Sequence, residues 1–205
     1  MSIKFNEDYK LKDENHYNVI CSKSQIVLCN SMSTDMNHMN RWLNRLEGTN
    51  KFTTPFTIDL NGVVYKHYDP MYWSSVIGNE KVDKHLIGIT LVNEGYLNYE
   101  KNNLVTWIGD IYNRADDVVD KLWRDKKTWA PYTKKQLNSL YKLCEYLSIE
   151  FDITMAFVGH NTELSNPESY DGILCRSNFS KYYYDVSPAF DFKYFNNKFN
   201  KTDNQ

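Results

Sequence analysis

The run Gln25-Ile26-Val27-Leu28-Cys29-Asn30 narrows the choice of fold more than any other stretch. Its apolar residues are consecutive rather than alternating, as in a strand buried on both faces and covered by structure on each side. Residues 86–92, Leu-Ile-Gly-Ile-Thr-Leu-Val, form a second strand of this kind. Between them, Met36, Met39, Trp42, Leu43 and Leu46 recur at helical spacing, and Gly48 stops that helix. Residues 56–59 and 63–66 flank Leu60-Asn61-Gly62, whose Asn-Gly step predicts a hairpin turn. The clearest helix begins at Thr133, an N-cap with Gln136 three residues later as its capping-box partner. Its apolar face is Leu137, Leu140, Tyr141, Leu143, Cys144 and Leu147. Residues 151–160 read as a further strand ending at His160, and the rest to 195 as loop-rich. Strand, helix, hairpin, strand, helix, strand predicts an α/β domain with a central mixed β-sheet flanked by helices.

Residues 1–24 are polar and read as an N-terminal arm, 25–195 as the domain, and 196–205 as a polar tail. Residues 95–131 read as a long insertion with a short helix near 115–122. Its Trp107, Trp123 and Trp129 serve either as an interface or as a lid over the core. With 24 Lys and Arg against 26 Asp and Glu, the net charge is −2, which lacks the basic excess of a general nucleic-acid binder. No apolar run approaches the roughly 20 residues of a membrane span, and residues 1–18 show no secretory signal. The 16 tyrosines bring aromatics to 15%, which suits a surface that recognises sugar or protein. Cys21, Cys29, Cys144 and Cys175 form no C-x-x-C pair and are expected as thiols.

Three potential metal ligands fall at the ends of elements: Cys29, His160 and Asp185. A thiolate, an imidazole and a carboxylate can hold a zinc ion with one position open for water. Taken alone, Cys29 reads more readily as a small core hydrophobe and His160 as a hydrogen-bonded structural residue. A cysteine peptidase built on Cys29 and His160 is a further option, and would need a contact between base and thiolate.

Four segments in order resemble the zinc-dependent N-acetylmuramoyl-L-alanine amidases, the family related to the peptidoglycan-recognition proteins. Residues 26–31, Ile-Val-Leu-Cys-Asn-Ser, are similar to the family's I-V-I-H-x-[ST] strand. Residues 56–65 resemble its hairpin, and residues 86–93 its S-I-G-I-E-L-x-N strand. Val158-Gly159-His160-Asn161 with residues 185–192, Asp-Val-Ser-Pro-Ala-Phe-Asp-Phe, resemble the closing G-H-x-D and D-P-G-P-x-F-D-W. The Tyr132 helix falls where the family has Y-T-x-x-Q, and residues 93–96 and 129–133 look most like bacteriophage members. The resemblance implies a Zn2+ set of Cys29, His160 and Asp185, with Cys29 in place of the usual His.

It also implies losses. The Glu of the family's strand is Thr90, the pair opening the hairpin strand is Thr54-Pro55, and the basic residue before the last ligand is Tyr183. Trp73 and Asn93 stand at substrate-side positions, with the family's His missing around Trp73. Losing one acid–base or oxyanion group costs roughly 100- to 10,000-fold in rate. The resemblance therefore implies an amidase fold with impaired catalysis, whose partner is peptidoglycan or the structural proteins of a phage particle. The expected location is a virion or the infected host's cytoplasm. The alternative is a working zinc amidase in which Tyr183, Tyr184, Thr90 or a residue of the insertion supplies the missing help.

Overall fold

The computed structural model describes residues 3–114, 117–160 and 164–199. In chain order its first elements are β1 (Gln25–Asn30), α1 (His38–Asn44), β2 (Phe56–Ile58), β3 (Val64–Lys66), α2 (Glu80–Asp83) and β4 (Leu86–Leu91). There follow β5 (Tyr96–Glu100), β6 (Asn103–Val105), β7 (Val119–Trp123), β8 (Lys126–Trp129), α3 (Lys134–Phe151), β9 (Gly172–Cys175) and α4 (Phe192–Phe199). The main sheet runs β3-β2-β4-β1-β9, with β2, β4, β1 and β9 mutually parallel and β3 antiparallel at the edge. It is the expected mixed sheet flanked by helices.

Period-two alternation divides β1 between two cores. Ile26 and Leu28 pack with Leu137, Leu140, Leu143, Cys144 and Leu147 of α3. Val27 and Cys29 point to the other face, with Val76, Val82 and Leu174. Each fully buried leucine of α3 is worth about 2 kcal/mol. The capping box forms as expected: Thr133 Oγ1 accepts from Gln136 N at 3.1 Å. Gln136 also donates to the carbonyls of Ile58 (3.0 Å) and Val92 (2.8 Å), locking α3 onto the ends of β2 and β4.

The hairpin turn forms at Asn61-Gly62. Gly62 has φ +80°, and a Cβ there would stand 2.7 Å from the carbonyl oxygen of Lys135. Gly62→Ala is therefore expected to cost about 2 kcal/mol through left-handed strain and that backbone clash. A urea midpoint equal to that of the parent would refute this.

Three expectations change. Over 118–122 the chain is not helical: β7 pairs with β8, and Trp123 packs on Trp129 with ring centroids 5.6 Å apart. Ala115 and Asp116, where that helix was to begin, lie outside the described residues. β5, β6, β7 and β8 form their own four-stranded sheet, so the insertion folds on itself. Residues 153–159 are not a full strand and make a single bridge, Phe157 to Ile173. The strand beside β1 is instead β9, from a stretch that reads as loop. The start of the polar tail belongs to α4, where Asp191 Oδ1 accepts from Tyr194 N at 2.8 Å.

The N-terminal segment lies along the hairpin. Asn6 bonds both ways with β3, donating to Val64 O and accepting from Lys66 N, each at 2.9 Å. Further on, Tyr17 stacks on Trp73 at 3.8 Å.

Candidate functional site

The carboxyl ends of parallel strands are where α/β sheets present ligand sites. Here the register sets a row of side chains across them. Thr57 of β2 lies opposite Thr90 of β4, and Thr90 opposite Cys29 of β1. Leu28 lies opposite Cys175, so one residue further the row continues from Cys29 to Arg176, the first residue past β9. A small cavity of about 80 Å³ opens over it, lined by Cys29, Ser31, His38, Thr54, Thr90 and Arg176.

Arg176 is held from several sides. Its Nε donates to Asp185 Oδ2 at 2.6 Å, and that same oxygen accepts from Asn30 N at 2.9 Å. Its guanidinium lies 4.7 Å from the Tyr183 ring centre. Ser177 N donates to Asp185 O at 2.9 Å and Cys175 N to Asn178 Oδ1 at 2.6 Å, which pins the turn that carries it. Burial opposes the arginine's charge, but the Asp185 carboxylate outweighs it and holds the guanidinium protonated. Burial pushes the Cys29 thiol up to about 12, against the pull of Arg176, so Cys29 is a protonated thiol at neutral pH.

Beyond Arg176 lies a second opening, a cleft of about 260 Å³ walled by Met32, Tyr96, Trp107, Tyr182 and Tyr184. Trp107 is 44% exposed, with its Nε1 donating to Met32 O at 2.7 Å and the Arg41 guanidinium 5.8 Å from its ring. Tyr182 is 80% exposed. Trp123 and Trp129 are buried, so of the three insertion tryptophans only Trp107 offers a face.

The residues expected at the site divide accordingly. Cys29 and Asp185 are brought to Arg176, but His160 does not join them. Among the described residues no three His, Cys, Asp or Glu side chains stand close enough to hold a metal ion. β9 separates β1 from the segment leading to His160, and two strand spacings are about 10 Å. The His160 ring turns instead to Trp123 and Phe192, at 4.7 and 4.8 Å, and burial with nearby Lys121 and Arg124 lowers its pKa to about 4. Thr90 is spent on Thr54, with their hydroxyl oxygens 2.9 Å apart. The Tyr183 hydroxyl donates to Ile77 O at 3.0 Å while its ring supports Arg176.

Trp73 and Asn93 are framework. Trp73 is buried beneath Tyr17. Asn93 is fully buried, its Nδ2 donating to Ala130 O (3.1 Å) and Pro131 O (3.0 Å) and its Oδ1 accepting from Gly95 N (2.8 Å). Neither has a surface left for substrate. The residue that the sequence reading missed is Arg176. Its signal is the four-residue run Gly172-Ile173-Leu174-Cys175, short enough to pass as loop, ending in Arg shortly before Asp185.

Zinc does not fit this set. Asp185 already neutralises a guanidinium, and the expected imidazole is elsewhere. A divalent ion within about 4 Å of Arg176 would meet about 8 kcal/mol of repulsion at an effective dielectric near 20.

The architecture around this site is that of the peptidoglycan amidases. The chain is similar to the N-acetylmuramoyl-L-alanine amidase LysC from Clostridium intestinale URNW, with TM-score 0.52 and 15% identity over 97% of this chain and 95% of that one. The amidase AmiD from E. coli, solved with a substrate anhydro-N-acetylmuramic acid peptide, matches with TM-score 0.56 and 12% identity over 94% of this chain and 66% of that one. A mutant endolysin from Bacillus subtilis matches with TM-score 0.53 and 14% identity over 96% and 99%. Identities this low speak for the fold alone. No curated protein matches the sequence. The model of the N-acetylmuramoyl-L-alanine amidase family, however, matches residues 16–171, most of the 205, and the chain belongs to that family. The match ends just before β9, so Arg176 and Asp185 lie beyond it.

Proposed function

We propose that this domain binds peptidoglycan without hydrolysing it. The observation that carries the reading is the chemistry of the site floor. Thr54 and Thr90 bond to each other, Cys29 is a protonated thiol and Asp185 is ion-paired. Among the described residues that line the cavity there is no carboxylate, and the one imidazole, His38, is itself buried with its Nε2 3.3 Å from Thr57 Oγ1, whereas a hydrolytic amidase needs a base free to act on water. The cleft beside it keeps what binding needs. Trp107 and Tyr182 offer faces to sugar rings, and Arg176 offers N–H donors to the carbonyls and carboxylates of a stem peptide. A wall-adhering component of a phage particle is a natural use of such a domain.

The test is co-sedimentation with purified sacculi, with muropeptide release followed in the same tubes. The domain should pellet with the wall and release nothing, and Trp107→Ala should bind roughly tenfold more weakly. Release of new L-alanine amino termini would establish the working amidase instead. Equal binding by Trp107→Ala would remove the cleft from the reading.

A further inference from the structure

The fold brings together two of the residues expected as metal ligands, Cys29 and Asp185, and sets a third group beside them at the end of the edge strand β9. Arg176 occupies the next place in the row Thr57–Thr90–Cys29, directly beyond β9. Its Nε is 2.6 Å from Asp185 Oδ2, and it shares a cavity wall with Cys29. Asp185 is 2% exposed, so its charge needs a cation from somewhere.

We propose that Arg176 is that cation: the chain closes its amidase-type site with a built-in guanidinium where the family resemblance implies zinc. Charge balance favours this arrangement. The Asp185 carboxylate and the Arg176 guanidinium sum to zero, whereas admitting zinc means expelling the guanidinium from a buried partner. The geometry agrees, because the fork is fixed by Asp185 on one side and the Tyr183 ring on another. The terminal Nη groups have no hydrogen-bond partner among the described residues, although Arg176 lines both openings. A ligand carbonyl or carboxylate entering the cleft therefore meets N–H donors rather than a Lewis acid. The inference deepens the peptidoglycan-binding reading and rests on the same site, but not on what the ligand is.

The experiment is zinc content by elemental analysis after zinc loading and gel filtration, for the parent and for Arg176→His. The variant restores an imidazole beside Cys29 and Asp185. The parent should carry no stoichiometric zinc, and Arg176→His should carry one per chain that a further Cys29→Ser change removes. Stoichiometric zinc in the parent, lost in Asp185→Asn, would overturn the proposal. Zinc in neither protein would also overturn it, since the guanidinium would then not stand at the metal's place. If Arg176→His does not fold, melting of the parent decides: its midpoint should be the same in excess EDTA and in excess zinc. A rise of several degrees with zinc would defeat the inference. Sacculus binding in the same preparations is a separate readout. Its failure would sink the binding reading and leave the zinc result standing, and the reverse holds as well.

Discussion

Arg176→Ala should melt about 10 °C below the parent, the largest single-residue effect expected at the site. Removing one partner of a buried ion pair costs about 3 kcal/mol or more, because the other charge is left without compensation. For a domain of this size each kcal/mol lowers the midpoint by about 3 °C. The side chains of Arg176 and Asp185 are 26% and 3% exposed, so the loss falls mainly on the stranded carboxylate. Asp185→Asn keeps the shape and the oxygen that accepts from Asn30 N while removing that charge. In the double variant the two effects should fall well short of additive. Additive effects would mean that the ion pair is not what holds this turn.

Acid should unfold the protein earlier than its carboxylates alone would. Thr57 sits between two buried histidines, its hydroxyl oxygen 2.8 Å from His67 Nε2 and 3.3 Å from His38 Nε2. The Tyr9 carbonyl, 2.6 Å from His67 Nδ1, requires the proton on that nitrogen. His67 Nε2 therefore accepts from the Thr57 hydroxyl, whose oxygen can in turn accept from His38 Nε2. Burial lowers the His67 pKa from 6.5 to about 4. Burial, helped by His67 and Arg41, takes His38 to about 3.

Between these values and 6.5 the unfolded chain binds protons that the folded chain refuses. The stability contributed by the neutral rings is thus whole above pH 6.5 and is lost as the pH falls towards 4. At about 1.4 kcal/mol per pH unit, His67 alone accounts for about 3 kcal/mol. Urea midpoints across that window should fall steeply in the parent and less steeply in His67→Gln. Parallel slopes would refute the assignment.

Much of this molecule is legible in its sequence. The apolar run of β1, the Asn61-Gly62 turn and the Thr133–Gln136 cap each act over a few residues, and each stands as expected. Legibility fails where distant segments compete for one place. Beside β1, the longer run that ends in His160 promises the strand, yet four residues, Gly172–Cys175, take it. In the insertion, strand pairing and the packing of Trp123 against Trp129 take over 118–122, part of the stretch where a short helix was expected.

The site follows the same division. Cys29 at the end of its strand and Asp185 ahead of the closing segment are positions that the sequence by itself determined, because local pattern places them. Only the tertiary structure decided that Trp73 and Asn93 are consumed by packing, that His160 lies a strand away, and that Arg176 meets Asp185. The physical reason is range. Turns, caps and periodicity are settled between near neighbours, whereas the partner of a buried charge is chosen by which strands lie side by side.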